Sequence, residues 1–196
     1  MMLAATKQTH HKISGRRRIA LYPGAFRPPH EAHLTAVLDL ASRPDVDEVI
    51  VIISNRCRMI PGTTKALDTD VAQDIWRIYL QDLSKVRIEV ASHTAVQHAL
   101  DYFGRVAPGD TLLFCIGASD LSRGDDRFTK LSDLARNTGV STELIEAPTS
   151  AMTVRSTDLR TMLANKAEGR APFMASLPSP LSEQQREKVW SISCDG

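Results

Sequence analysis

The stretch Tyr22-Pro-Gly-Ala-Phe-Arg-Pro-Pro-His-Glu-Ala-His33 decides how this chain reads. It follows the short apolar run Ile19–Tyr22, which predicts a strand, and leads into His30–Ser42, which predicts a helix. Pro28 is disfavoured in helical conformation because Pro29 follows it, whereas Pro29 suits a first helical position. The helix is therefore expected to start near Pro29, with His30 and His33 three residues apart on one face of its first turn. Backbone N–H groups there are unpaired and the helix end carries roughly +0.5 charge, so an anion is stabilised at that place. Gly24, just past the strand, would let a phosphate or base approach the backbone closely. Taken singly these residues have plainer readings: a surface histidine, an ordinary turn glycine. A metalloprotease helix is excluded, because HExxH needs its second histidine one residue later, and that position is Leu34.

Outward from this stretch, strands and helices alternate. Glu48–Ser54 and Thr111–Ile116 are almost continuously apolar, as strands covered on both faces should be. Val86–Val90 alternates like a strand and Thr142–Ile145 is a short last one. Helical spacing is expected over Thr69–Leu83 (with Trp76 in the core), Thr94–Phe103, 126–137, 157–166 and 181–191. Residues 55–68 read as a loop, and Pro172, Pro178 and Pro180 as part of a connection. The pattern predicts an α/β fold: a Rossmann-like doubly wound parallel sheet of about five strands with a helical C-terminal extension. Residues 1–17 are expected to be a disordered basic tail, 18–150 the nucleotide-binding core, and 151–196 a helical segment completing the site. Ligands of such sheets bind at the carboxyl ends of the strands. The loops after Tyr22, Ser54, Ile116 and the last strand are therefore the expected functional ones.

The 196 residues suit one domain, and the hydrophobic content of 42% is ordinary for a soluble protein. No apolar run approaches the roughly 20 residues of a membrane span. A net charge of +1 argues against a nucleic-acid partner. Within residues 1–18, Lys7, Lys12, Arg16, Arg17 and Arg18 occur without an acid, a composition that also allows a transit peptide or a weak polyanion-binding arm. Cys57, Cys115 and Cys194 are scattered, with no zinc spacing, which fits a reducing, cytoplasmic compartment. Cys115, inside an apolar run, reads as a small buried hydrophobe.

Gly24-x-Phe26-x-Pro28-x-His30-x-x-His33 resembles the GxFxPxHxGH signature of the nucleotidylyltransferase superfamily. Val154-Arg-Ser-Thr-Asp-Leu-Arg160 is similar to its ISSTxIR motif, and Ile116-Gly117-Ala-Ser-Asp120 to the G(A/S)D segment of nicotinamide-mononucleotide adenylyltransferases. The likeness spans residues 19–180. Ala32 stands where the family has glycine, and Arg155 where it has the first serine. No residue matches the family lysine after the second strand; Arg56, Arg58 and Lys65 are candidates. The resemblance implies transfer of a nucleotidyl group from an NTP, ATP first, to a phosphate monoester such as nicotinamide mononucleotide. Pyrophosphate is released, and Mg2+ arrives with the triphosphate. It implies a catalytic role for His30, His33 and Arg160, and nucleotide binding by Gly24, Ala25, Phe26, His33, Gly117, Asp120, Ser156, Thr157 and Arg160. Arg27, Arg56 and Lys65 are further candidates for phosphate contact. The nucleophile is already a phosphate oxygen, so the work is positioning and charge stabilisation. The alternatives are a cytidylyltransferase acting on a small phosphorylated alcohol, a nucleotide-binding module without turnover, and a class I synthetase-like enzyme. Against the last, this sequence shows no KMSKS-like lysine loop. A homo-oligomer is left open.

Overall fold

The computed structural model describes residues 16–117, 131–148 and 154–195. The expected tail up to residue 15, the first part of the 126–137 helix, Asp120 and part of the loop after the last strand lie outside them.

Five parallel strands form one sheet: β1 (Arg18–Gly24), β2 (Glu48–Ile53), β5 (Val86–Val90), β6 (Thr111–Ile116) and β7 (Ser141–Glu146). Their order is β5-β2-β1-β6-β7. The chain moves outward from β1 in one direction and then returns to its other side. The switch point therefore falls between β1 and β6, where doubly wound sheets bind ligands.

The pleat sorts the apolar strands to two faces. Ala20, Tyr22, Val49, Val51, Ile53, Leu113 and Cys115 face one core, shared with α1 (Glu31–Ser42), α2 (Thr69–Leu80) and the C-terminal helices. Ile19, Leu21, Ile50, Ile52, Leu112 and Phe114 face the other, with α3 (Ala95–Leu100) and α4 (Leu131–Thr138). The C-terminal helices are α5 (Ser156–Ala164), α6 (Lys166–Ala175) and α7 (Glu183–Asp195). Leu159, Leu163, Phe173 and Val189 from them join the same core as the sheet.

Several boundaries differ from the sequence expectation. Residues 55–68 contain a two-stranded antiparallel ribbon, β3 (Arg58–Met59) with β4 (Ala66–Leu67). Its strands are too short to show a period. α2 stops at Leu80, not Leu83, and the stretch expected as one helix to Phe103 leaves α-geometry at Leu100 for a 3-10 turn, Asp101–Gly104. Pro172 lies inside α6 rather than in a connection. Tertiary packing overrides its local cost: Phe173 is fully buried, and at Gly169 the α5 backbone passes so close that a Cβ would meet the Met162 carbonyl. Cys115 is buried as expected, and its thiol is pushed up to about 12 by burial. Trp76 is fully buried, as a core residue should be.

Candidate active site

α1 begins at Glu31, one residue later than expected, and His30 is its N-cap in extended conformation. The His30 backbone N–H donates to His33 Nδ1 at 3.2 Å, so the second histidine closes the helix start that the first one opens. With Nδ1 accepting, a neutral His33 carries its proton on Nε2 and presents it as a donor. The two rings stack, their centroids 3.7 Å apart. Burial pushes His30 down to about 4, partly offset by the Asp158 carboxylate. His33 is lowered by burial and by His30 beside it. Both imidazoles are therefore neutral at pH 7 in the free protein.

Behind them lies an aromatic stack. The Phe26 ring packs on His33 at 5.0 Å and on Trp76 at 5.3 Å, both edge-on. Tyr79 donates its hydroxyl to the Pro29 carbonyl at 3.2 Å. Phe26 takes φ +52°, and its ring lies over Gly24, where a Cβ would come within 2.5 Å of Phe26 Cζ. Gly24 is thus required by the Phe26 ring, a reason the sequence reading, which looked to a phosphate, did not supply.

At the carboxyl ends of the strands lies a cavity of about 320 Å³. Pro23–Ala25 after β1, Ser54, Arg56 and Arg58 after β2, Thr94–Val96 at the start of α3, and Cys115–Gly117 at the end of β6 line it. Three of the expected loops meet here. The α3 start was not anticipated, because a lone Thr-Ala-Val carries no chemical signature. The later part of α3 and the turn after it are held by Glu89, which accepts from Tyr102 at 2.6 Å and pairs with His98 at 2.9 Å. These bonds, with Arg87, outweigh burial and pull the Glu89 carboxyl down to about 2.

The two motif segments, 128 residues apart, touch. Ser156 Oγ donates to the Pro28 carbonyl at 2.9 Å, and Arg160 Nη1 to the Arg27 carbonyl at 2.7 Å, while Arg160 Nη2 reaches Thr157 Oγ1 at 3.1 Å. Arg155 caps α5 through its N–H to Asp158 at 2.8 Å, and its side chain is exposed. Ala32 stays partly exposed on the first turn of α1.

The three candidate phosphate contacts separate. Arg56 lines the cavity, joined by Arg58. Lys65 does not: its ammonium donates to the Cys194 carbonyl at the end of α7, at 2.9 Å, as Lys166 does at 3.1 Å. Arg27 is buried, and its guanidinium donates to the Ala25 and Ser54 carbonyls and to Thr69 Oγ1. It holds the loop after β1 against the end of β2 instead of facing the cavity. Among the described residues, Arg27, Arg56, Arg58 and Arg160 have no carboxylate within ion-pair distance. Arg58 disfavours the charge on both Arg27 and Arg160, which marks a shared positive field.

The chain resembles nucleotidylyltransferases: adenylyltransferases of that class are similar to it in sequence and in fold. No protein-family profile matches the chain. A probable nicotinate-nucleotide adenylyltransferase of Mycolicibacterium vanbaalenii is 23% identical over 190 residues, covering 92% of this chain and 87% of the relative. Among solved structures, the nicotinic acid mononucleotide adenylyltransferase of Plasmodium falciparum complexed with NaAD superposes with a TM-score of 0.59 at 17% identity, covering 90% of this chain and 98% of that one. The same enzyme complexed with APC gives 0.56 at 16% identity, with the same coverage. Thermotoga maritima TmcAL bound with alpha-thio ATP gives 0.54 at 12% identity, over 92% of this chain and 56% of the other.

Proposed function

We propose that this chain is an adenylyltransferase that moves AMP from ATP to a mononucleotide of the nicotinate or nicotinamide type, a step of NAD biosynthesis. The observation that carries the reading is the contact of the two motif segments, Ser156 and Arg160 on the Pro28 and Arg27 carbonyls, in the loop whose Ala25 lines the arginine-bearing cavity. The named relative and the two Plasmodium structures supply the acceptor class.

A phosphate oxygen of the acceptor attacks the α-phosphorus of ATP. The bond from that phosphorus to the bridging oxygen breaks, and pyrophosphate leaves with the electron pair. The acceptor phosphate is ionised at pH 7, so no side-chain base is needed. His33 Nε2–H and His30 donate to the phosphates, and Arg160, Ser156 and Thr157 offset charge on the departing pyrophosphate. Arg56 and Arg58 draw the polyanion into the cavity. Gly24, Ala25 and Gly117 offer backbone groups to the nucleotide; at Gly117 the space a side chain would fill is open. The described cavity lining holds no carboxylate, so Mg2+ would be held by the triphosphate oxygens and would there neutralise developing charge. Among the described residues no helix is long and apolar enough to cross a membrane. We place the protein in the cytoplasm on its three free cysteines.

Pyrophosphate release, measured with each of four NTPs against nicotinate mononucleotide, nicotinamide mononucleotide and a panel of phosphorylated alcohols, tests this. Release with ATP and a pyridine mononucleotide is expected. Release only with CTP and a phosphorylated alcohol would replace the reading with a cytidylyltransferase. Nucleotide binding without release would make the chain a binding module.

A further inference from the structure

Arg27 lies inside the first motif but does not line the cavity. Its residue is 1% exposed. Burying a guanidinium is costly unless an opposite charge sits beside it. Among the described residues no carboxylate does. Asp68, the carboxylate whose field it feels, is exposed and accepts from the Val71 N–H. Arg58, a like charge, opposes it, and Arg27 Nε has no hydrogen-bond partner. The acceptors that hold it are neutral: the Ala25 carbonyl at 2.5 Å, Thr69 Oγ1 at 2.9 Å, and the Ser54 carbonyl. Two of these three residues, Ala25 and Ser54, line the cavity. A positive charge is thus fixed behind the cavity wall, without an ion-pair partner among the described residues.

We propose that Arg27 is an electrostatic positioning residue, whose buried charge strengthens binding of the nucleotide phosphates without touching them while its fork fixes Ala25 and Ser54. This rests on the nucleotide-binding reading of the cavity. A polyanion seated there supplies the opposite charge that no described carboxylate places against Arg27. Arginine suits the place better than lysine, because its planar fork satisfies several acceptors at once and it stays charged when buried. Consistent with that, burial lowers Arg27 only to about 10.

The test measures dissociation constants of ATP, ADP and adenosine by calorimetry for the full chain, Arg27→Gln and Arg27→Lys. Arg27→Gln keeps donors for the carbonyls and removes the charge. It is expected to weaken ATP by about 10- to 100-fold, ADP by less, and adenosine less than about twofold, the pattern of one partly buried charge acting at several ångströms. Equal loss for all three ligands, or no loss for any, overturns the proposal. Arg27→Lys supplies the second arm, independent of whether the glutamine variant folds. A buried ammonium loses its proton more readily than a guanidinium. ATP affinity of this variant should therefore fall, relative to wild type, between about pH 7 and pH 9.5, with adenosine unaffected. Cys57, Arg58 and Asp68 face position 27, and Arg160 binds its carbonyl; all are present in both proteins, so the difference between the profiles belongs to position 27. A profile parallel to wild type overturns the proposal. Failure of wild type to bind ATP at all would instead overturn the nucleotide reading.

Discussion

The Arg160 guanidinium donates to the carbonyl oxygen of Arg27 at 2.7 Å, joining a C-terminal helix to the loop that follows the first strand. The same guanidinium reaches Thr157 Oγ1, so its fork is set by two acceptors before any ligand arrives. Preorganised donors of this kind cost no reorganisation at the moment of reaction. Arg160→Ala should therefore lower turnover by about 10²–10³-fold. It should also cost about 1–3 kcal/mol of stability, the scale of a hydrogen bond to a charged group. Arg160→Lys keeps the charge but cannot hold both acceptors, and should recover stability better than turnover. Steady-state pyrophosphate release and urea midpoints on the same three proteins check this.

His33→Ala is expected to reduce turnover by about 10²–10⁴-fold. The fold is expected to survive this change. The structure adds a cost, because His33 Nδ1 accepts the His30 N–H and its ring meets Phe26. A lost cap is worth about 1 kcal/mol, so the melting temperature should fall by a few degrees. His33→Asn, whose carbonyl can accept the same N–H, should restore the melting temperature and leave turnover low. Parallel recovery of both would mean that the ring is a cap and nothing more.

Stability should depend on pH through the histidine pair. His30 is held down at about 4 when folded, against an unfolded value of 6.5. Between those values the unfolded chain binds more protons, so unfolding is favoured as pH falls through this window and stability is flat above it. At 1.36 kcal/mol per unit, the loss from His30 can reach about 3 kcal/mol by pH 4. His30→Asn should make the window shallower in a series of denaturant titrations, leaving the part that belongs to His33. A bound triphosphate works the other way: its charge raises both histidines, so ATP binding at pH 6 should take up protons, measurable as a buffer-dependent binding enthalpy.

Gly24→Ala places a methyl 2.5 Å from Phe26 Cζ. The ring cannot yield without disturbing Trp76 and His33, so a loss of about 1–3 kcal/mol is expected, with loss of turnover alongside. Phe26→Leu in the Gly24→Ala background should recover part of the stability. An unchanged midpoint in Gly24→Ala would mean that the ring has another place to go.

Much of this fold is legible from local pattern. Runs such as Glu48–Ile53 are buried on both faces and can be little else than central strands, and Gly24 to His33 announces a strand–loop–helix turn. What escaped was non-local. Pro172 argues against a helix until Gly169 and Phe173 are seen packed into the C-terminal layer. Lys65 looks like a phosphate ligand by its place in the loop, and is turned to the end of α7. Arg27 looks like another, and is buried because Ala25, Ser54 and Thr69 present three acceptors to it. The direction of a long cationic side chain depends on acceptors brought by distant segments, which no spacing records.

Transfer of the α-phosphoryl group of ATP, with its adenosine, to a pyridine mononucleotide is the reaction to be tested. Its most direct test supplies ATP labelled on the α-phosphorus together with nicotinate mononucleotide or nicotinamide mononucleotide, and follows the label by chromatography. Label in a dinucleotide and an equal amount of unlabelled pyrophosphate are expected. Label remaining in ATP, or appearing only in ADP or AMP, would contradict it.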